Sequence, residues 1–305
     1  MKLFAGSASQ KFALKVSQIL GINLSSVGIA RFANSEVKVR IKEKVKSEVC
    51  VVIQSTANPT DTNLMELFFF CDALKRQEAK KVIAVIPYFG YARQNIQHLP
   101  GESVSTNVVI RFLETIGFSK IYTVDLHDEA TEGVFSIPFK NLSALPLLAL
   151  AFKKDYQNDL SNIVIVSPDQ GGIERARRFS QYLFNKEVNL TVIEKKRNLN
   201  KIHQSEALNL YGNVKGKVVV IVDDILTSGK TLVNAAELCF LQGAKKVIAV
   251  IVHPDLSVNA PELLKNSAIE KIYTTDTIEI RPELKIKKFK IVSVTPLIAD
   301  EIKTI

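Results

Sequence analysis

Cysteine is scarce in this 305-residue chain: Cys50, Cys71 and Cys239 each lie in an apolar stretch, and none shares a metal-binding spacing with another. That argues against a disulfide scaffold or a cysteine-held metal centre, and the three read as reduced core thiols. Long apolar runs are missing too. The longest, such as LMELFFF and LLALAF, fall well short of a membrane span, and the opening MKLFAGSASQKF has too short an apolar run for a signal peptide. No long polar tract is present, and apolar residues make up 47% of the chain, which argues against sizeable disorder. The expectation is a cytoplasmic globular protein with no membrane partner, long enough for one large domain or two ordinary ones. The net charge is +9, with a local cluster at Lys285–Lys290 (KIKKFK), yet no nucleic-acid recognition motif accompanies it. No nucleic-acid partner is expected. The charge suits a solvated basic surface or a site for anionic small molecules.

What is present centres on Val218–Thr231, VVVIVDDILTSGKT. A buried β-branched run ends in two adjacent acids, Asp223 and Asp224. A turn of Thr227, Ser228, Gly229, Lys230 and Thr231 then opens an apolar-periodic helix. N–H groups and hydroxyls at a helix start can take a phosphate, and the acids can take ribose hydroxyls. Gly229-Lys230-Thr231 is not the end of a Walker loop, because Asp224 stands where that loop needs its first glycine. An ordinary capped strand-to-helix turn is the competing account, weakened by the cost of two acids at a buried strand end.

The chain also repeats itself. AKKVIAVI occurs at Ala79–Ile86 and at Ala244–Ile251, followed by KIYTVD at Lys120–Asp125 and KIYTTD at Lys271–Asp276. Each octapeptide is preceded by an amphipathic helix and, before that, a β-branched run, so the chain reads as two similar α/β halves. The octapeptides are 165 residues apart and the hexapeptides 151, so the first half carries 14 extra residues, assigned to the loop Tyr88–Ser105. A loop of that length is usually functional, and Arg93 makes it a candidate anion binder. Strands alternating with helices imply mainly parallel sheets with ligands beyond their carboxyl ends. The boundary is expected near Asn141–Lys153, giving domains 1–145 and 146–305.

The acid-acid-x-x-Thr-Ser-Gly-Lys-Thr pattern resembles the PRPP-binding loop of the type I phosphoribosyltransferase fold. Phe32–Glu36 (FANSE), Tyr91–Gln94 (YARQ), Asp125–His127 (DLH), Ser167–Gly172 (SPDQGG) and Lys195–Arg197 (KKR) redirect that resemblance. Together and in this order they resemble ribose-phosphate pyrophosphokinase, the PRPP synthetase family, over essentially the whole chain. The resemblance implies an α/β fold of two tandem phosphoribosyltransferase-like domains, the first on the ATP side and the second on the ribose 5-phosphate side. It implies transfer of the diphosphoryl group of ATP to ribose 5-phosphate, with Mg²⁺. Phe32, Asn34, Ser35 and Glu36 would meet the ATP base and ribose from a neighbouring subunit of a homo-oligomer. Arg93 and Gln94 would hold ATP, and His127 and Asp169 would contact magnesium or its water. Lys195 and Arg197 would be the catalytic pair on a mobile polar loop, Arg197 also near the sugar phosphate. Asp223 and Asp224 would bind ribose hydroxyls, and Thr227, Ser228, Gly229, Lys230 and Thr231 the 5-phosphate.

The chain departs from the family after YARQ, where Asn95-Ile96-Gln97-His98 replace an acid and basic residues and so remove charge near the ATP polyphosphate. Ser136 and Lys140 stand where acids are common, and LPGES looks closer to archaeal-type members. The alternatives are a non-catalytic regulatory subunit that keeps the fold, and a base-adding phosphoribosyltransferase. The second would leave the ATP segments unexplained.

Overall fold

The computed structural model describes residues 1–157, 160–186, 188, 190–197 and 205–305, with the side chains of 195–197 and 205–208 outside that description. The chain divides into two compact α/β units.

The first unit comprises residues 1–143, 277–279 and 294–305. In chain order it has β1 (Lys2–Ala5), α1 (Gln10–Leu20), a hairpin of β2 (Val27–Arg31) and β3 (Val37–Ile41), β4 (Val49–Ile53), α2 (Thr60–Arg76), β5 (Lys81–Ile86), α3 (Ser105–Ile116), β6 (Lys120–Val124) and β7 (Phe139–Leu142). The sheet is parallel throughout in the order β1-β4-β5-β6-β7. Strands covered on both faces read as unbroken apolar runs, which is why VCVVI and KVIAVI carry no alternation. Their side chains pack with Leu67, Phe70 and Leu113 in one core.

The second unit comprises residues 144–276 and 280–293. It holds α4 (Leu145–Tyr156), β8 (Ile163–Ser167), α5 (Ile173–Phe184), β9 (Thr191–Arg197), β10 (Ser205–Tyr211), β11 (Val218–Ile225), α6 (Lys230–Leu241), β12 (Lys246–His253), α7 (Ala260–Asn266), β13 (Ile269–Thr275) and β14 (Phe289–Val292). Its sheet runs β10-β9-β8-β11-β12-β13-β14, and only the β9–β10 pair is antiparallel. The order β8-β11-β12-β13-β14 repeats β1-β4-β5-β6-β7, so two tandem, mainly parallel domains are what the chain forms. The β5–α3 connection spans 18 residues against six for β12–α7, and α3 has 12 residues against seven in α7. The insertion therefore falls mostly in the expected loop and partly lengthens the helix after it.

The final helix, α8 (Thr295–Ile302), belongs to the first unit, and α4 belongs to the second. Each half thus gives its last helix to the other unit. The expected cut after residue 145 already sets α4 in the second domain, where the second unit also has it; α8 is the helix that the compact units place differently. An ion pair joins each helix to the last strand of its unit: Lys140 on β7 donates to Glu301 on α8 at 2.7 Å, and Lys290 on β14 donates to Asp155 on α4 at 2.7 Å. Asp155 also accepts from Lys271 at 2.7 Å and from the Tyr273 hydroxyl. Hydrogen bonds from Lys271, then Lys290 and Tyr273, hold its carboxyl far below the usual range. A depressed carboxylate stabilises fully above its unfolded value near pH ~4, and that contribution is lost as pH falls toward the folded value. Asp155→Asn should therefore cost on the order of 2 kcal/mol at neutral pH. In thermal melts the difference from wild type should shrink in acid.

Cys50, Cys71 and Cys239 are free and buried, as core thiols should be. Burial pushes them to about 11, 12 and 12. Among the described residues no helix is long and apolar enough to cross a membrane.

Candidate active site

The carboxyl end of β11 supplies the densest chemistry. Val218–Val222 are buried, and the strand carries Asp223 and Asp224 at its end, Asp224 being 4% exposed. Asp223 Oδ1 accepts the N–H of Asp224 at 2.9 Å, which fixes the first carboxylate against its own backbone. Gly229 caps α6 at φ +79, a left-handed backbone that favours glycine, and a Cβ there would press on Leu264 at 3.3 Å. Lys230 donates its N–H to Ser228 Oγ at 3.4 Å, while Thr227 and Thr231 stand half-buried around an exposed Ser228 and Lys230. The start of α6 therefore gathers N–H groups and hydroxyls beside two acids.

Asp169 sits in the bend after β8, two residues past the strand end. Its Oδ1 accepts from Gly172 N at 3.0 Å, and its charge reaches Asp223. Burial, then the charge of Asp224, pushes the Asp223 carboxyl well above the usual range, and Arg175 pulls it back. Arg175 is absent from the sequence-derived set. Its Nη1 lies 3.7 Å from a carboxylate oxygen of both Asp223 and Asp224. The signal was the basic run Arg175, Arg177, Arg178: the last two pair with Glu174 on the same helix, and the first faces the acids.

In the first unit, Phe32, Asn34, Ser35 and Glu36 form the exposed tip of the β2–β3 hairpin, with Phe32 52% exposed. Arg93 and Gln94 lie exposed in the turn after β5, where Gln94 Oε1 accepts from Ser105 Oγ at 2.7 Å. His127 is exposed after β6. Ser35, Tyr91 and Asp125 have φ of 71°, 64° and 39°, so left-handed backbone occurs in three of the motif segments. Asp125 accepts from Ser143 at 3.0 Å as Asp276 accepts from Ser293 at 2.6 Å, which makes it an anchor shared by both halves.

Lys195 and Arg197 were expected on a loop. Their backbone instead continues β9 and pairs with Ala207 and Ser205, because the antiparallel partner β10 extends the ladder past the short apolar run. Their side chains, and residues 198–204 of the stretch expected as a loop, lie outside the described residues.

Over 304 residues the chain is 41% identical to the ribose-phosphate pyrophosphokinase of Thermosipho africanus (strain TCF52B), covering 99% of this chain and 93% of that one. The chain belongs to the ribose-phosphate pyrophosphokinase family. Family membership makes it a transferase. It is also 38% identical to ribose-phosphate pyrophosphokinase 1 of Streptococcus mutans, over 99% of this chain and 92% of that one. Residues 1–117 match the family model for the N-terminal domain of ribose phosphate pyrophosphokinase, and residues 185–305 that for the phosphoribosyl synthetase-associated domain. A crystal structure of phosphoribosylpyrophosphate synthetase from Mycobacterium smegmatis superposes with a TM-score of 0.91 at 32% identity, covering 99% of this chain and 97% of that one.

At the segment after YARQ, the first residue has a specific partner. Asn95 Nδ2 donates to Asp128 Oδ2 at 2.6 Å, tying the Arg93–Gln94 turn to the residue beside His127. Asn95→Asp would set two carboxylates against each other and should raise the ATP KM about tenfold, with Asn95→Asp/Asp128→Asn restoring it. Steady-state kinetics of the two variants check this. Ser136 bonds to Glu114 and Lys140 to Glu301. Among the described residues no cluster of three or more His, Cys, Asp or Glu side chains has metal-holding geometry. The donors near Asp223 are hard oxygens, which suit Mg²⁺ arriving on a polyphosphate with one or two protein ligands.

Proposed function

We propose that the chain is an active ribose-phosphate diphosphokinase: it transfers the β,γ-diphosphoryl group of ATP to the C1 hydroxyl of ribose 5-phosphate, giving PRPP and AMP for nucleotide biosynthesis in the cytoplasm. The observation that carries this is the buried Asp223–Asp224–Arg175 group beside the Gly229-capped start of α6. Two acceptor carboxylates suit a ribose diol, and the hydroxyls and N–H groups of Thr227–Thr231 suit the 5-phosphate.

The C1 oxygen forms a bond to the β-phosphorus as the α–β bridging bond breaks and AMP departs; the hydroxyl proton goes to solvent. Negative charge spreads over the nonbridging and leaving oxygens, where Lys195 and Arg197 would stabilise it. Arg93 would hold the polyphosphate as a charged donor, and Gln94 would assist it. Phe32 would stack on adenine, with Asn34, Ser35 and Glu36 around base and ribose, in a neighbouring subunit of a homo-oligomer. His127 and Asp169 would hold Mg²⁺ or its water, the metal supplying charge neutralisation on the phosphates when bound.

Purified protein with ATP, Mg²⁺ and ribose 5-phosphate should form AMP and PRPP in equal amounts. No turnover at any ATP concentration would leave a regulatory subunit, and PRPP consumption with a free base would leave a phosphoribosyltransferase. Lys195→Ala should lower kcat by about 10²–10⁴-fold with an unchanged melting temperature.

A further inference from the structure

The proposed nucleotide contacts Phe32–Glu36 project from a hairpin whose flank is not filled by side chains. A cavity of about 610 Å³ lies there, lined in part by Ser7, Gln10, Ser26, Ile29 and Arg31. The tip is a tight turn: Phe32 N donates to Glu36 O at 2.9 Å and Ser35 N to Phe32 O at 2.9 Å. The residue just before this tip is Arg31, the last of β2.

Arg31 Nη2 donates to Glu66 Oε2 at 3.3 Å. Glu66, on α2, is 0% exposed. A carboxylate buried that far persists only when its oxygens are saturated by donors. Ser7 supplies its N–H to Oε1 and its hydroxyl to Oε2, both at 2.7 Å, and Gln54 Nε2 reaches Oε1 at 3.0 Å. Gln54 Oε1 in turn accepts from Ala8 N at 3.0 Å. One carboxylate therefore binds the loop after β1, the residue after β4 and the base of the hairpin tip. Three of the bonds to Glu66 are neutral; the charged one comes from the hairpin.

We propose that Glu66 and Arg31 are positioning residues for nucleotide binding: the buried carboxylate, already fixed by Ser7 and Gln54, fixes Arg31 and so aims Phe32–Glu36. The kinetic part rests on the proposal that this tip meets ATP. Glu66→Gln is the selective change, because a glutamine can keep Oε1 accepting from Ser7 N and Gln54, and can donate to the Ser7 hydroxyl. It cannot accept from Arg31 at the other atom.

The experiment compares Glu66→Gln, Arg31→Met, Arg31→Lys and Phe32→Ala in the full-length protein. Glu66→Gln and Arg31→Met should each raise the ATP KM about tenfold, leaving kcat and the ribose 5-phosphate KM within about twofold. Arg31→Lys should recover most of the loss. Amide hydrogen exchange supplies a readout without substrate: the Phe32 and Ser35 amides should exchange faster in Glu66→Gln and Arg31→Met, but not in Arg31→Lys. Should Glu66→Gln fail to fold, Arg31→Met carries the test through exchange, since Arg31 is partly exposed. Unchanged exchange in the variants that fold overturns the proposal. So does a raised ATP KM in Arg31→Met with none in a folded Glu66→Gln, which would mean direct contact of Arg31 with the nucleotide. An unchanged ATP KM in Phe32→Ala, with exchange altered as expected, would instead remove the tip from the ATP site and leave its anchoring intact.

Discussion

Asp223→Asn should raise the melting temperature of the ligand-free protein while lowering kcat/KM for ribose 5-phosphate by about 100-fold. Burial and the adjacent Asp224 push the Asp223 carboxyl well above its ordinary range, so its ionised form is held against a gradient that Arg175 only partly offsets. A carboxyl raised in the folded state stabilises fully below its unfolded value and loses that contribution as pH rises through the folded one. At neutral pH the wild-type group has therefore lost part of that stability. Asparagine removes the charge yet keeps Oδ1 for the Asp224 N–H, so the local backbone survives. A gain of about 1 kcal/mol would appear as roughly 2–4 °C. The gain should grow with pH and vanish in acid, where the wild-type carboxyl is protonated. Opposite signs in stability and activity are the mark of groups held for a ligand. Calorimetry across a pH series, paired with an AMP-release assay, checks both. A lower melting temperature with unaltered ribose 5-phosphate kinetics would make Asp223 an ordinary structural residue.

The fold was legible because its signals are local and doubled. Fully buried parallel strands announce themselves as β-branched runs, and the copies at 79–86 and 244–251 marked the two similar halves whose sheets share one strand order. The placement of α4 with the second unit was legible, and that of α8 with the first was not. The Lys140–Glu301 pair that joins α8 to β7 spans 161 residues of sequence, and no local pattern records such a pairing. The extent of β9 was missed for a related reason: Lys195–Arg197 read as a solvated run, and only the cross-strand partner in β10 makes them strand.

At the candidate site, residues that sit in contiguous motifs were easy to name, and residues that act through space were not. Asp223, Asp224 and Thr227–Thr231 are one stretch of chain, and the structure keeps them together at one strand end. Arg175, Glu66 and Asp128 each act on a motif from another element. A buried glutamate in an amphipathic helix looks in sequence like any helix carboxylate. Only its zero exposure and its donors from three segments distinguish it.

Arg175→Met is the counterpart with the reverse sign. Its guanidinium, 13% exposed, stands 3.7 Å from both aspartates, so methionine preserves much of the volume and leaves two acids without that cation. Removing one partner from a buried ion pair is costly because the remaining charge stays desolvated. The separation is longer than a hydrogen bond, so the low end applies, on the order of 2–3 kcal/mol. The loss should be greatest above the carboxylate range and relieved in acid. Arg175→Met/Asp223→Asn then decides whether the stability effect passes through the pair. With one acid neutralised, the arginine has less charge to offset, and the double variant should melt above Arg175→Met by more than Asp223→Asn gains alone. Strict additivity of the two changes would mean that arginine and acid are not coupled. Ribose 5-phosphate kinetics should not recover in the double variant, because the sugar would still face one acceptor carboxylate fewer. Stability restored without function restored is the result that assigns Arg175 to holding the acid pair ionised and in place.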